Sequence, residues 1–361
     1  MAAVRSENPS STALSRPFTY DSKEWVTKDE PFEGIEILGS KTTKGIQIVR
    51  KFIPAPKHIS RKDWQLPYEV DFLDFLPECN RVVKHLHYFT DYDGPYPGCY
   101  IIFEHYPLGD MRDWRRRNFD KKNNKPVPES YIWRMFGQLA QALAFIHNHI
   151  GPNRNQRTPL IHRDIKPRNV LVASTGTTYP SFKLHDFGCA TFLTSDNNRK
   201  DSLCGTHEWQ PPENPHINSE ASDIWSLGAL VHFLAIGCSP VQRGAQDRYS
   251  KVVQEGPHYH QAMEESEKYT SWTKYIAAKV PRVVTPINLT PEQQEETHQG
   301  IYNTVYSDSL DKWMKECLKP ARSRANANKL IQSMLPDAMH MLFKCGGRNA
   351  TVDMNVEFRS T

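Results

Sequence analysis

The hydrophobic positions divide the chain into a strand-rich first third and a helical remainder. Apolar residues alternate in short runs within 34–53, on either side of the turn-like stretch 39–45, which predicts a β-hairpin. Apolar residues then recur at helical spacing within 69–76, and residues 99–103 form a short apolar run typical of a buried strand. The first third is therefore predicted to be a small β-structure with one helix.

Helical periodicity dominates after Pro128. Apolar residues within 132–146 are spaced by three or four positions, which predicts one face of a long amphipathic helix. The nearly continuous apolar run 222–236 predicts a buried helix, and two further amphipathic helices are predicted at 310–318 and 325–335. Residues 240–300 are polar and contain several prolines, which indicates a variable insertion.

Composition and charge bound the class of protein. The charged fraction of 24% and the hydrophobic fraction of 38% are ordinary for a globular protein, and a net charge of +4 gives no reason to expect nucleic acid or membrane as partners. The start of the chain has no apolar segment of a secretory signal, so a cytoplasmic or nuclear location is expected. The seven scattered cysteines suit free thiols in a reducing compartment.

Two polar motifs carry the candidate chemistry. They are Ile-His-Arg-Asp-Ile-Lys-Pro-Arg-Asn-Val at 161–170 and His-Asp-Phe-Gly at 185–188. Asp164 can accept the proton of a hydroxyl group, whereas Asn169 and Asp186 offer the hard oxygen ligands that Mg²⁺ prefers. Phosphoryl transfer needs this kind of alignment and charge compensation more than covalent chemistry.

These motifs, H-R-D-x-K-x-x-N followed by D-F-G, resemble the eukaryotic protein kinase family of the serine/threonine type. Pro-Pro-Glu at 211–213 resembles the family's A-P-E, and residues 223–228 resemble its buried central helix. The resemblance implies an ion pair between Glu213 and Arg324. Lys166, with Thr206 nearby, is similar to serine/threonine rather than tyrosine kinases and is expected to neutralise charge on the phosphoryl group.

The resemblance implies ATP and Mg²⁺ as cofactors and a set of nucleotide-binding residues. Lys51 and Asp186 are expected to contact the phosphates and the metal, with Asn169 as the second metal ligand. The remaining expected nucleotide-site positions are Glu69, which orients the lysine, Glu104 and Tyr106 around the adenine, and Asp110 near the ribose.

The glycine-rich loop of the family has no clear counterpart. Gly39 is one candidate for its remnant, and Gly34 is another, in which case Asp29 and Pro31 replace the first two glycines. A lobe shortened by a missing coding segment and a weakened grip on ATP are the two explanations.

The expected fold is α+β and two-lobed, with a small, truncated β-rich N-lobe and a larger helical C-lobe. Residues 1–22 are expected to be a disordered tail, 23–340 the kinase domain, and 341–361 a C-terminal tail. Within the domain the N-lobe covers about 23–104 and the C-lobe about 110–340.

Two functions remain open from the sequence. The first is an active serine/threonine kinase with a protein substrate and an upstream kinase, in which phosphorylation of Ser202 orders residues 189–205 through Arg163. The second is a pseudokinase that acts as a binding scaffold, suggested by the missing glycine-rich loop. The intact set Asp164, Lys166, Asn169 and Asp186 favours the first.

Two weaker features have ordinary interpretations. The basic residues within 112–122 are read as a solvated helix face rather than a docking site for RNA or an acidic partner. His258 and His260 lack further ligands at zinc spacing and are not expected to bind metal.

Overall fold

The computed structural model describes residues 20–27, 34–43, 45–56, 64–194, 204–213, 219–255, 275–276, 279–296 and 304–359. None of the helices in these ranges combines the length and the apolar character that a membrane crossing requires.

An antiparallel sheet forms the small lobe. Its region contains β1 (Trp25–Thr27), β2 (Ile35–Ser40), β3 (Gln47–Pro54), β4 (Glu78–Cys79), β5 (His85–Asp91) and β6 (Gly98–Glu104). All except β4 pair in the order β1-β2-β3-β6-β5. The predicted hairpin at 34–53 is thus confirmed as β2 and β3.

Side chains alternate across this sheet and bury both faces. Leu38, Ile48 and Ile102 form one buried cluster. The neighbouring Ile101 points to the opposite face, because successive strand residues alternate, and packs with Val70 of helix α1 (Tyr68–Phe75). The helix therefore sits on the sheet with its acidic first turn beside β3.

The large lobe is mainly helical. Its helices are α2 (Met111–Arg115), α3 (Glu129–Ile146), α4 (Glu220–Ile236), α5 (Ala245–Glu255), α6 (Pro291–Glu296), α7 (Asp308–Cys317), α8 (Ala327–Lys329) and α9 (Leu335–Thr351). Four short strands lie between α3 and α4: β7 (Leu160–Ile161), β8 (Val170–Ala173), β9 (Ser181–Leu184) and β10 (Thr191–Phe192). Strand β11 (Phe358–Arg359) follows α9.

Helices α3 and α4 form the centre of the large-lobe core. Nearly every residue of both helices is buried. For α4 this confirms the buried helix predicted from the continuous apolar run. A reciprocal capping box between Ser219 and Ser222 begins α4, and Gly237 ends it in the left-handed conformation, at φ 87°. These caps define both ends of α4 and therefore the position of its first turn.

Strand pairing brings the two sequence motifs together. Strands β8 and β9 are antiparallel neighbours, so the loop that precedes β8 and the loop that follows β9 lie at the same end. The backbone N–H of His185 donates to the carbonyl of Asn169 at 3.1 Å, which joins the two loops directly.

The last residues pack against the rest of the molecule. Within the stretch expected as a C-terminal tail, 341–361, the described residues 341–359 continue α9 and form β11, which pairs with β4 next to α1. The fully buried Arg81 donates from Nη2 to the carbonyls of Asp353 and Asn355, each at 2.7 Å. Gln141 of α3 donates from Nε2 to the carbonyl of Met354 at 2.8 Å, so this segment ties the region after α1 to α3 of the large lobe.

The two-lobed α+β architecture predicted from the sequence is confirmed. Among the described residues, the sheet of the small lobe, expected to be truncated, contains five strands.

Candidate active site

Asp223 of α4 anchors the loop between β7 and β8, residues 162–169. Its side chain is buried, and it accepts the backbone N–H of His162 at Oδ2, 2.8 Å, and that of Arg163 at Oδ1, 2.9 Å. His147 contacts the same carboxylate through Nε2 at 2.9 Å. These bonds hold Arg163 in the left-handed conformation, at φ 67°, and so determine where the next residue of the loop points.

That next residue, Asp164, sits in a network of donors. Its Oδ1 accepts the backbone N–H of Thr206 at 2.8 Å, and its Oδ2 accepts Nδ2 of Asn169 at 3.0 Å. Lys166 Nζ lies 2.8 Å from the same Oδ2 and also donates to Thr206 Oγ1 at 2.8 Å. A carboxylate offers about four lone-pair positions, so these contacts leave Asp164 able to accept one further hydroxyl group.

Lys51 joins the two lobes through two carboxylates. Its Nζ lies 2.7 Å from Glu69 Oε2 of α1 and 2.8 Å from Asp186 Oδ1, which follows β9. Glu69 is buried, whereas Lys51 and Asp186 are partly exposed. The structure therefore brings together three residues that the sequence placed in one nucleotide site.

Electrostatics favour the charged forms of Lys51 and Asp186, whereas the net pKa of Glu69 is raised by burial. Burial lowers the pKa of Lys51, but the charges of Glu69 and Asp186 outweigh it and the net pKa is raised. Burial raises the pKa of Asp186, yet the ammonium of Lys51 outweighs it and holds that pKa well below its usual range. Burial also raises the pKa of Glu69, against the effect of Lys51.

The donor set at the end of β9 suits a hard cation. Asp186 presents a carboxylate, and Asn169 uses its amide nitrogen on Asp164, so the atom it can offer a metal is the amide oxygen. A Cβ at Gly188 would stand 3.3 Å from Asp186 Oδ1, so glycine keeps space beside that carboxylate. The residues present fit Mg²⁺ and a bound phosphate.

Comparison with known proteins agrees with this geometry. A family model described as a protein kinase domain matches residues 35–335. The chain belongs to the protein kinase family. It is 30% identical over 186 residues to Aurora/IPL1-related protein kinase 2 of Caenorhabditis elegans, which covers 51% of this chain and 52% of that protein.

Other similar kinases cover more of the chain. Aurora kinase A-A of Xenopus laevis is 30% identical over 256 residues, 66% of this chain and 56% of its own length. Testis-specific serine/threonine-protein kinase 5 of Mus musculus is 27% identical over 261 residues, 70% of this chain and 64% of its own length. The chain thus spans about half the length of these Aurora-type relatives.

The segment between the lobes of the kinase domain holds the residues expected around the adenine and ribose. Glu104 ends β6, and its Oε2 accepts the hydroxyl of Tyr106 at 3.2 Å. Asp110 caps α2 by accepting the backbone N–H of Asp113 at 2.8 Å. The nucleotide contacts of these residues stay a prediction.

The segment after the D-F-G motif corrects the cysteine prediction. Cys189 and Cys204 form a disulfide with their Cα atoms 6.0 Å apart, whereas the other five cysteines are free. The expectation of seven free thiols was wrong because residues 15 positions apart meet only in the fold. Arg163 Nε donates to the carbonyl of Cys189 at 2.5 Å. Ser202, the candidate phosphorylation site, lies outside the described residues.

The predicted ion pair between Glu213 and Arg324 is confirmed. Arg324 also donates to the carbonyls of Ala221, at 2.6 Å, and Lys319, at 2.8 Å, and its guanidinium lies over the ring of Trp225. Glu213 is thereby fixed to the beginning of α4.

Two supporting residues escaped the sequence analysis. Arg282, inside the stretch treated as a variable insertion, donates to the carbonyls of His207 at 2.8 Å and Gln210 at 3.0 Å. Nothing in the local pattern identifies it. Asp223 was read only as part of a buried helix, although a carboxylate in an apolar run signals a buried partner.

The structure decides between the two glycine candidates. Gly39 lies inside β2, paired with Val26 and Gln47, so reading it as a loop remnant was wrong. Gly34, at φ 76°, directly precedes β2, and a Cβ there would stand 2.9 Å from the carbonyl of Phe52. Gly34 therefore stands at the end of the β1–β2 connection and remains the candidate for the last glycine of the glycine-rich loop. Asp29 and Pro31 lie outside the described residues.

The basic residues within 112–122 do not form a uniform solvated face, so that interpretation was wrong in part. Arg115 is buried, pairs with Asp120 and lies over the ring of Phe233, because the helix turns that side chain into the core. Arg116 is exposed and pairs with Asp113 at 3.3 Å. His258 and His260 lie outside the described residues.

Proposed function

We propose that this protein is an active Mg-ATP-dependent serine/threonine kinase that phosphorylates protein substrates. One observation carries the proposal: Lys51 Nζ lies within 3 Å of both Glu69 and Asp186. This contact supports a phosphate-binding role for the lysine, an orienting role for the glutamate and a metal-binding role for the aspartate. Preassembled charges of this kind need no reorganisation at the moment of reaction.

Each residue then has one task. Lys51 and Asp186 would hold the phosphates and the metal, together with the amide oxygen of Asn169, and bound Mg-ATP would supply the phosphoryl group. Asp164 would orient the acceptor hydroxyl and accept its proton, since its carboxylate is already fixed by Thr206. Lys166 would offset negative charge beside it.

Specificity and regulation are part of the same proposal. The serine/threonine preference is supported by the name of one relative, testis-specific serine/threonine-protein kinase 5 of Mus musculus, and by the Lys166–Thr206 contact at 2.8 Å. An upstream kinase acting on Ser202 would use Arg163, which already stands against the start of the same segment through Cys189. The proposed location is cytoplasmic or nuclear, without nucleic acid or membrane as partners.

A scaffold without catalysis is the second candidate. It is favoured by the residues before Gly34, where the sequence has Asp29 and Pro31 instead of the glycines that cover the phosphates in the family. Such a protein would retain the large-lobe surface but bind ATP weakly.

The test combines nucleotide binding with turnover. Wild type, Asp186→Asn and the exposed control Asp247→Asn are compared by thermal unfolding with Mg-ATP and by autophosphorylation. At ten times the Kd, Mg-ATP should stabilise wild type and control by about 1.4 kcal/mol, and both should incorporate phosphate. Asp186→Asn should lose both responses. No stabilisation and no phosphate incorporation in wild type would favour the scaffold, and Ser202→Ala with unchanged activity would remove the regulatory part.

A further inference from the structure

A group of metal-ligand side chains lies where α3 ends and α4 begins. His147 follows the last residue of α3, His149 comes two positions later, and Glu220 is the first residue of α4. One ligand atom of each lies within 4.8 Å of the others. The group is separate from the Asp186 and Asn169 pair and has different chemistry, since two of its three donors are imidazoles.

His147 has a buried nitrogen without a partner. Its side chain is fully buried, and Nε2 contacts Asp223 Oδ2 at 2.9 Å, whereas Nδ1 has no hydrogen-bond partner among the described residues. If Nε2 carries the proton toward the carboxylate, Nδ1 keeps a buried lone pair that accepts no hydrogen bond, which is unfavourable. A histidine that donates to a carboxylate through one nitrogen and keeps the other for a metal is a recurrent arrangement in metal sites.

His149 and Glu220 complete the group and give it access to solvent. His149 Nε2 lies 3.1 Å from Glu220 Oε2, and about a quarter of each side chain is exposed. Ligands about 2.0–2.1 Å from a tetrahedral ion stand roughly 3.3 Å from one another, so this pair needs little movement. Burial raises the pKa of Glu220, but the hydrogen bond with His149 outweighs it and the net pKa is lowered, which keeps the carboxylate ionised.

We propose that His147, His149 and Glu220 form a binding site for a divalent transition-metal ion such as Zn²⁺, with water as the fourth ligand. Two imidazoles and one carboxylate suit Zn²⁺, Co²⁺ or Ni²⁺, whereas Mg²⁺ prefers oxygen ligands. The site is linked to the catalytic loop, because Asp223, the partner of His147, also holds the backbone N–H groups of His162 and Arg163.

The experiment is calorimetric titration of the full chain with Co²⁺ and with Zn²⁺ in excess Mg²⁺, which occupies the oxygen-ligand site. The variants are His149→Ala and Glu220→Gln, which change only partly exposed side chains, and the control is His340→Ala, at an exposed histidine of α9. His147 itself is left intact because its substitution would disturb the core.

Wild type and His340→Ala should each bind one equivalent, and the affinity should fall at least about tenfold in both site variants. Equal affinity in wild type and both site variants would overturn the proposal, as would the absence of a bound equivalent in wild type. An equal loss in the His340 control would also overturn it.

Discussion

Replacing Asp223 with asparagine should separate the anchoring of the loop 162–169 from the chemistry proposed for it. Asp223 has its side chain buried in α4, and its hydrogen bonds within the described part of the chain go to His147, His162 and Arg163, none of which is proposed to contact ATP. It accepts the backbone N–H groups of His162 and Arg163 on different oxygens, 2.8 and 2.9 Å away. Asparagine has the same shape but only one oxygen, so it cannot accept both.

The magnitude follows from which oxygen is lost. Keeping the amide oxygen at the Oδ2 position preserves the contacts with His162 and His147, both of which use Oδ2. The amide NH₂ then faces the backbone N–H of Arg163. A hydrogen bond to a charged acceptor is worth about 1.5–3 kcal/mol, and a buried unsatisfied donor costs about 1–3 kcal/mol, so the expected destabilisation is about 2.5–6 kcal/mol.

The structural effect of the substitution should be concentrated at Arg163. Its left-handed backbone, at φ 67°, costs roughly 1–2 kcal/mol and persists because the carboxylate over-determines it. Without that bond the residue should relax and shift the adjacent Asp164. A displacement of about 1 Å in a catalytic group can cost on the order of 10²-fold in turnover.

The assay is urea unfolding together with hydrogen exchange of the 160–165 region. Asp337→Asn is the matched control, because the exposed Asp337 accepts Trp313 Nε1 at 2.8 Å and an amide oxygen can replace it there. The control should stay within about 0.5 kcal/mol of wild type. If the stability of Asp223→Asn also stayed within about 0.5 kcal/mol of wild type and hydrogen exchange at Arg163 were unchanged, the anchoring role would be refuted.

Two further predictions concern stability. His232 donates from Nδ1 to the carbonyl of Cys238 at 2.8 Å and accepts the N–H of Thr285 at 3.2 Å, and burial lowers its pKa to about 4. The unfolded chain binds a proton there near pH 6.5, so the free energy of unfolding should fall by about 2 kcal/mol between pH 7.5 and 5 through this residue alone. In urea unfolding, the free energy of unfolding of His232→Gln should therefore fall by about 2 kcal/mol less than that of wild type over this pH range. The same pH dependence in both proteins would contradict the role given to His232. Reducing the Cys189–Cys204 disulfide, which closes a loop of separation 15, should lower stability by about 3 kcal/mol. Wild type with and without dithiothreitol measures this, Cys345→Ser should respond as wild type does, and Cys204→Ser should not respond at all.

The motifs show how much the sequence could predict. Each of the two motifs, 161–170 and 185–188, is a continuous stretch of sequence, so its functional groups and their order can be identified without the tertiary structure. The helices observed at 129–146 and 220–236 were predicted at 132–146 and 222–236, because a period of 3.6 and an unbroken apolar run are local signals. Lys51 and Glu69 needed the family resemblance, since nothing around either residue specifies a partner.

Only the tertiary structure decided which distant residues meet. Lys51 and Asp186 are 135 positions apart and touch because β3 and the loop after β9 face each other across the lobes. The docking of the C-terminal segment on Arg81, the Cys189–Cys204 pair and the contacts of Asp223 have the same origin. In each case a buried charge, thiol or backbone N–H needs a partner. The sequence pattern can indicate that such a group is buried, but it does not predict which distant residue pairs with it. The sequence alone thus determined the chemistry and the elements, whereas the fold determined the partners, because burial makes those pairings energetically necessary.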